Sequence, residues 1–160
     1  MKVYILDKKR KKNVSAEIEK ANKIDLANLK KSWLFDWNSL YSKNSLIYKL
    51  SYSDEIQGFL NMLLVDEGYY EMKNLELAKS NLGRNGNFQN VAGCLIAYAC
   101  LLSFELNKGN YQGFLSFTSK GELIEHYQKN YFAELVYREK MIIFPKYGKI
   151  LIKKYLNIGI

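Results

Sequence analysis

Between residues 85 and 96 the chain reads Asn-Gly-Asn-Phe-Gln-Asn-Val-Ala-Gly-Cys-Leu-Ile, a polar run that passes directly into an apolar one. The apolar pattern continues to about Asn107, and it predicts a helix over 91–107 that is covered on most sides. The first N–H groups of a helix lack intrahelical acceptors and carry the positive end of the helix dipole. We therefore expect a phosphate or pyrophosphate to bind where this helix begins.

Small residues at the junction support that expectation. Ala92 and Gly93 let a ligand approach the backbone, and Asn90 tolerates a left-handed conformation better than most residues do. An ordinary connection capped by asparagine is the alternative interpretation. The stretch is not a Walker loop, because no Gly-Lys-Ser/Thr follows. It is not a dinucleotide fingerprint either, because the three antiparallel strands of a predicted meander precede it where that fold has a single strand.

The order of predicted elements indicates the fold class. Strands are expected over 2–6, 46–52, 55–65, 69–78, 111–117 and 139–144, and helices over 15–31, 91–107, 121–130 and 147–156. Ser15 is the expected N-cap of the first helix, Glu67-Gly68 a hairpin turn and 79–90 a loop. A meander followed by a βαβ crossover predicts an α/β (α+β) protein. Its sheet should be mixed and mostly antiparallel, with helices on both faces, in one domain over residues 1–160.

Charge is concentrated at the two ends of the chain. The net charge is +8; residues 1–31 hold ten Lys/Arg against four Asp/Glu, and residues 138–160 hold six against one. The basic turn, residues 8–12, and the lysines at 146, 149, 153 and 154 are either a patch for an anionic partner or solvated surface lysines. No stacking aromatic residues interleave either cluster, which disfavours a reader of single-stranded nucleic acid.

Cysteine use and hydropathy indicate the compartment. Cys94 and Cys100 lie in one apolar run without disulfide or zinc spacing, so we expect buried thiols in a reducing compartment. No metal-binding constellation is evident, and no apolar stretch reaches the roughly 18 residues of a membrane span. The first residues place charge after the apolar segment, the reverse of a secretory signal. A soluble cytoplasmic protein with no membrane partner is expected.

The loop resembles the pyrophosphate loop of the GNAT superfamily of acyl-CoA N-acyltransferases, which reads Q/R-x-x-G-x-G/A, then two residues and an aliphatic pair. Here the frame is filled by Asn87-Phe88-Gln89-Asn90-Val91-Ala92, then Gly93-Cys94, then Leu95-Ile96. Ala92 and the aliphatic pair agree with the family pattern. Asn87 stands where Gln or Arg is usual, and Asn90 where Gly is usual.

A second motif lies downstream. Residues 120–127 occupy the place of the family pattern N-x-x-A-x-x-x-Y, where Tyr127 matches and Lys120 replaces the asparagine. The resemblance implies acetyl-CoA as co-substrate, bound by residues 87–94 and Lys120. It also implies that backbone N–H groups of Leu77 and Ala78 bind the pantetheine arm and the thioester carbonyl.

The same resemblance makes Tyr127 the general acid that protonates the departing thiolate; a packing tyrosine is the alternative. Glu76, near the end of the strand before the loop, is the best-placed candidate for a general base, although a solvated strand glutamate is an equal alternative. His126 projects from another face of the helix than Tyr127 does, and we interpret it as structural.

These residues together predict an N-acetyltransferase that acts on a primary amine of a small molecule or a protein. One alternative is a non-catalytic acyl-CoA-binding or protein-interaction module on the same fold. Another is an acetyltransferase of aminoacyl-tRNA, which the basic ends would suit. Nucleic acid is the less favoured partner, and a homodimer is compatible with the prediction.

Overall fold

The computed structural model describes residues 1–29, 31–42, 45–66, 68–106 and 109–160. The chain divides into two compact units. The first comprises residues 1–61 and 74–95, and the second residues 62–73 and 96–160.

An N-terminal hairpin opens the first unit. Strands β1 (Lys2–Asp7) and β2 (Lys12–Lys20) pair antiparallel, and β2 then pairs with β3 (Leu46–Tyr52). Every second residue of β2 is buried, namely Val14, Ala16 and Ile18. The predicted helix over 15–31 is therefore wrong: this segment begins as a strand, because its burial follows a period of two rather than 3.6.

Only a short helix remains of that prediction. Helix α1 (Lys23–Ala27) is capped by Asn22, not by Ser15. The Asn22 side chain accepts from the Asp25 N–H, and the Asp25 carboxylate accepts from the Asn22 N–H, so the two residues form a capping box.

The aromatic segment after α1 belongs to the core of the first unit. Helix α2 (Trp37–Leu40) buries Trp37 with Ala21, Leu26, Ile47 and Phe59. The Trp37 and Phe59 ring centroids lie 4.8 Å apart, and Trp33 packs edge-on against the same phenyl ring at 4.9 Å. Trp33 and Trp37 therefore pack with the core of the first unit.

The central strands follow the predicted pattern closely. β4 (Glu55–Val65) has the predicted bounds, and β5 (Tyr69–Leu77) ends one residue early. The Gly68 N–H donates to the Val65 carbonyl at 2.9 Å, and Gly68 has a φ of 85°, which fits the expected turn. The other predicted turn residue, Glu67, lies outside the described residues.

The predicted loop over 79–90 contains two short elements. A 3-10 turn spans Lys79–Asn81, and β6 (Phe88–Gln89) pairs antiparallel with β1, which places Gln89 opposite Leu6. A long-range partner orders the end of this loop. Local composition gives no indication of such a partner.

Helix α3 (Val91–Glu105) begins where the sequence predicted, and Asn107, the predicted last residue, lies outside the described part of the chain. It leads into β7 (Leu115–Thr118), which starts four residues later than expected. A 3-10 turn, Gly121–Leu123, and helix α4 (Ile124–Tyr131) fill the predicted helix over 121–130.

The chain ends with a hairpin and a helix. β8 (Glu134–Tyr137), which the sequence reading missed, pairs with β9 (Lys140–Ile143). Helix α5 (Pro145–Leu151) continues as a π-helical turn over Ile152–Leu156. All four residues of β8 are exposed, so its sequence carries no alternation that could have revealed it.

Strand order in the sheet is β6-β1-β2-β3-β4-β5-β7-β9-β8. The pairing of β5 with β7 is parallel and joins Tyr70 with Leu115 and Met72 with Phe117, while β7 with β9 is antiparallel. The predicted mixed, mostly antiparallel sheet is thus confirmed. In the described part of the chain, no helix is both long and apolar enough to cross a membrane.

Candidate functional site

The side chain of Asn81 organises the loop that leads to α3. Its amide nitrogen donates to the Gln57 side-chain oxygen at 2.9 Å, and its amide oxygen accepts from the Phe88 N–H at 3.2 Å. The Asn87 N–H donates to the Ser80 carbonyl at 2.8 Å. A Cβ atom on Gly86 would lie 2.5 Å from the Asn81 carbonyl oxygen, so only glycine fits there.

Asn90 turns the chain into α3. Its φ is 74°, in the left-handed region that asparagine adopts more readily than other residues with a Cβ atom. The Asn90 carbonyl accepts the Cys94 N–H at 2.9 Å, the bond that opens the helix. Asn90 thus adopts the left-handed conformation that the sequence analysis noted it can tolerate, which explains how asparagine can stand at a position where the family motif has glycine.

The hydrogen bonds narrow the set of donors that can face a phosphate. The Asn87, Phe88 and Cys94 N–H groups already have acceptors within the first unit. The N–H groups at positions 91–93 precede the first intrahelical bond of α3, so the helix itself offers them no acceptor. Of these three residues Ala92 has the most exposed side chain, whereas Val91 and Gly93 are buried.

The basic turn lies against this loop. The Lys8 N–H donates to the Asn87 carbonyl at 3.0 Å, and the Lys8 ammonium donates to the Arg84 carbonyl. Arg10 is held instead by Asp7, through a 3.6 Å ion pair and a 2.9 Å hydrogen bond from its backbone N–H. Pairing of β1 with β6 therefore places lysine charge beside the loop, which favours an anionic ligand.

Leu77 and Ala78, the two predicted backbone donors at the end of β5, direct their N–H groups to different sides of the strand. The Ala78 N–H donates to the Gln57 carbonyl at 2.9 Å and is engaged within the first unit. Because successive N–H groups of a strand point to opposite sides, the Leu77 N–H is directed away from β4. Of the predicted pair, Leu77 is thus the better placed to donate to a ligand.

Glu76 is buried, with 8% of its surface exposed, and its carboxylate accepts three hydrogen bonds. Oε1 accepts from the Leu34 N–H at 2.5 Å, and Oε2 from the Phe35 N–H at 3.2 Å and the Trp37 indole N–H at 2.7 Å. Glu76 is therefore not a solvated strand residue. Its role as a general base stays a prediction.

Tyr127 lies on α4 in the second unit and is half-buried. Its ring packs against Phe117, with ring centroids 4.8 Å apart, and burial raises the pKa of its phenol. The phenol therefore stays protonated at neutral pH, as a general acid must. The neighbouring His126 contacts Asn130 through its ring nitrogen at 3.1 Å, and Lys120 is exposed ahead of the 3-10 turn.

The two thiols match their predicted state. Cys94 and Cys100 are both buried thiols, and burial raises the pKa of each to about 12. In the residues that the structure describes, no group of three or more His, Cys, Asp or Glu side chains could hold a metal ion.

Sequence reasoning missed Asn81 and Gly86, and although it noted the basic turn, it did not place Lys8 against this loop. The Asn/Gly-rich composition indicated a loop, but the contacts that fix it join residues far apart in the chain. The isolated glycine at 86 was the one available signal, since such glycines often mark a close approach of backbone.

No protein-family model matches the chain, and no curated protein sequence matches it. Solved structures do. The AtaT toxin, a mutant bound to the C-terminus of the antitoxin AtaR and acetyl-CoA, has a TM-score of 0.59 at 14% identity, covering 86% of this chain and 98% of AtaT.

The Bacillus subtilis N-acetyltransferase YlbP in complex with coenzyme A has a TM-score of 0.58 at 13% identity, covering 82% of this chain and 97% of YlbP. A chain of the KacTA–DNA complex has a TM-score of 0.63 at 13% identity, covering 87% of this chain and 99% of its own length. The chain therefore has the fold of the GNAT acetyltransferases, as its motifs predicted.

Proposed function

We propose that this protein is an N-acetyltransferase, which transfers the acetyl group of acetyl-CoA to a primary amine of a small molecule or a protein. The observation that carries the proposal is the start of α3. There a loop fixed by Asn81 presents three N–H groups without intrahelical acceptors, in a chain that has the GNAT fold. The structures of AtaT with acetyl-CoA and of YlbP with coenzyme A support this choice of co-substrate.

The chain's own residues would divide the work as follows. The N–H groups at 91–93 bind the pyrophosphate, and residues 87–90 and Lys120 complete the cofactor site. The Leu77 N–H donates to the pantetheine arm or the thioester carbonyl, which favours attack by polarising the carbonyl group.

Acetyl transfer forms a carbon–nitrogen bond and breaks the carbon–sulfur bond of the thioester. The amine loses one proton, and the departing thiolate gains one. Tyr127, protonated at neutral pH because burial raises its pKa, would supply the thiolate's proton. The amine's proton would pass to water, because both carboxylate oxygens of Glu76, the candidate general base, already accept hydrogen bonds.

The binding step is tested by the substitution Ala92→Glu, which adds a negative side chain where the phosphates should lie. We expect a loss of CoA affinity of about 2 kcal/mol or more, roughly thirtyfold, from charge repulsion alone. Leu82→Glu is the matched control, since Leu82 lies in the same loop and is 53% exposed. Equal CoA affinity for both variants in calorimetry would place the pyrophosphate elsewhere.

Turnover of acetyl-CoA distinguishes an enzyme from a non-catalytic acyl-CoA-binding module. Acetyl-CoA consumption should be measured with putrescine, a lysine-containing peptide and an aminoacyl-tRNA as acceptors. We expect putrescine or the peptide to be acetylated. CoA binding without turnover of any acceptor would favour the non-catalytic alternative.

One observation favours a second candidate, acetylation of aminoacyl-tRNA. The Lys8 N–H bonds to the loop at Asn87, so the basic turn would lie beside the bound nucleotide of CoA. A polyanionic acceptor could contact the same charges. Preference for aminoacyl-tRNA over putrescine and the peptide would select this candidate.

A further inference from the structure

We propose that Glu76 is a positioning residue of the acetyl-transfer site, which holds residues 34–37 so that the cavity beside them keeps the shape that admits the amine. The inference rests on the proposed function and assigns Glu76 a role other than that of general base. It depends on contacts that lie entirely within the first unit.

The segment that Glu76 holds has little structure of its own. Helix α2 spans four residues, far fewer than the dozen or so that an isolated helix needs, and the Leu34 side chain is 84% exposed. Three donors from this segment meet on one carboxylate, two backbone N–H groups and the Trp37 indole. Hydrogen bonds to an ionised acceptor are stronger than those between neutral groups. Glu76 is therefore the main polar tie between the segment and β5.

A cavity of about 560 Å³ lies next to the anchored segment. Trp33, one residue before the first anchored N–H, lines it, and so does Ala78, two residues after Glu76. The two parts of the chain that Glu76 joins thus both contribute to the wall of this cavity. Ala78 lies at the end of β5, where the family resemblance places the thioester. The cavity would therefore lie next to the reacting acetyl group.

The other lining residues suit an amine. Ile56 and Leu29 add apolar surface, and the exposed carboxylates of Asp54 and Glu55 outnumber Lys79, the one lysine among the described residues of its wall. Carboxylates attract a protonated amine, while the Trp33 ring and the aliphatic side chains can hold its hydrocarbon part.

The hydrogen bonds themselves favour positioning over proton transfer. A general base must reach the proton that it removes with an available oxygen. Both oxygens of Glu76 are committed to residues 34, 35 and 37. Glutamine in its place would present an amide NH₂ group toward N–H donors, so at least one of these bonds would be lost.

The experiment compares Glu76→Gln with Trp37→Phe, which removes the indole N–H but keeps an aromatic ring. Each variant is assayed with acetyl-CoA and whichever of putrescine or the lysine-containing peptide the wild-type chain acetylates faster. Positioning predicts that both variants raise the KM for the amine by about tenfold, with kcat, CoA affinity and the shape of the pH profile nearly unchanged. The effects of the two substitutions should be less than additive in the double variant, because the Trp37 indole bond is one of the three bonds to Glu76 that Glu76→Gln also disturbs.

Hydrogen exchange gives a readout that needs no turnover. Amides of residues 31–42 should exchange faster in both variants, and not in the control Glu71→Gln, whose carboxylate on the same strand pairs with Lys73 at 3.4 Å. Unchanged exchange in Glu76→Gln would overturn the proposal.

The kinetic outcomes separate this proposal from the one on which it rests. Loss of kcat with an altered pH profile in Glu76→Gln, beside a kinetically silent Trp37→Phe, would make Glu76 the general base and overturn positioning alone. A wild-type chain that acetylates neither amine would overturn the proposed function. The positioning role of Glu76 in acetyl transfer would then be overturned as well.

Discussion

Substituting alanine for Gly86 tests the loop that precedes α3 most directly. A Cβ atom there would meet the Asn81 carbonyl oxygen at 2.5 Å, about 0.9 Å inside ordinary contact, and the Asn81 carbonyl carbon at 2.7 Å. Both atoms belong to the backbone, so no change of side-chain rotamer can relieve the contact with the alanine methyl group. We expect a destabilisation of about 1–3 kcal/mol, typical of overpacking. Displacement of Asn81 should also weaken its bond to the Phe88 N–H and lower CoA affinity.

Gly83→Ala is the matched control in the same loop. Gly83 has a φ of 69° but has nothing within 4 Å of its would-be Cβ atom. Left-handed strain of about 1–2 kcal/mol is partly offset by the reduced entropy of the unfolded chain, so the net loss should be about 1 kcal/mol or less. Urea unfolding and CoA calorimetry on both variants give the comparison. Equal stabilities and equal CoA affinities would refute the tight approach at Gly86.

Three further predictions concern chemistry and charge. Tyr127→Phe should keep CoA affinity and lower kcat about a hundredfold at every pH from 6 to 9, because the raised pKa of Tyr127 keeps its phenol protonated over that range; unchanged turnover would remove it from the mechanism. Cys94 and Cys100 should resist iodoacetamide at pH 8 until denaturant is added, since each thiol is buried with a pKa of about 12, and rapid labelling of the native chain, followed by mass spectrometry, would contradict this. Changing the four lysines of the basic turn to glutamine should weaken tRNA retention only slightly; a steep salt dependence in the wild-type chain that collapses in this variant would favour the tRNA candidate.

Local patterns correctly predicted the elements whose burial produces a clear hydrophobic pattern in the sequence. The bounds of β4 and the start of α3 were correct, because one lies between turn residues and the other follows a polar loop with an unbroken apolar run. β2 was mistaken for a helix. Ile18 and Ala21 fit a helical spacing as well as a strand followed by a turn, and only the pairing of β2 with β1 and β3 decides between them.

The candidate site depends on contacts that no local pattern encodes. Glu76 could be singled out from its place near the end of β5, but its three donors lie about forty residues away in sequence. The conformation of Asn90 was predictable, because few residues with a Cβ atom tolerate it. The pairing of β6 with β1 was not, because a two-residue strand leaves no period to detect.

That pairing has a thermodynamic consequence for ligand capture. The proposed phosphate-binding loop already lies in a sheet, with its backbone bonded to β1 and to Asn81, so it has little conformational freedom left to lose on binding CoA. Binding of CoA should therefore carry only a small entropic penalty from ordering of the protein. The heat-capacity change should match burial of the ligand alone, without the added contribution that accompanies folding of a segment on binding.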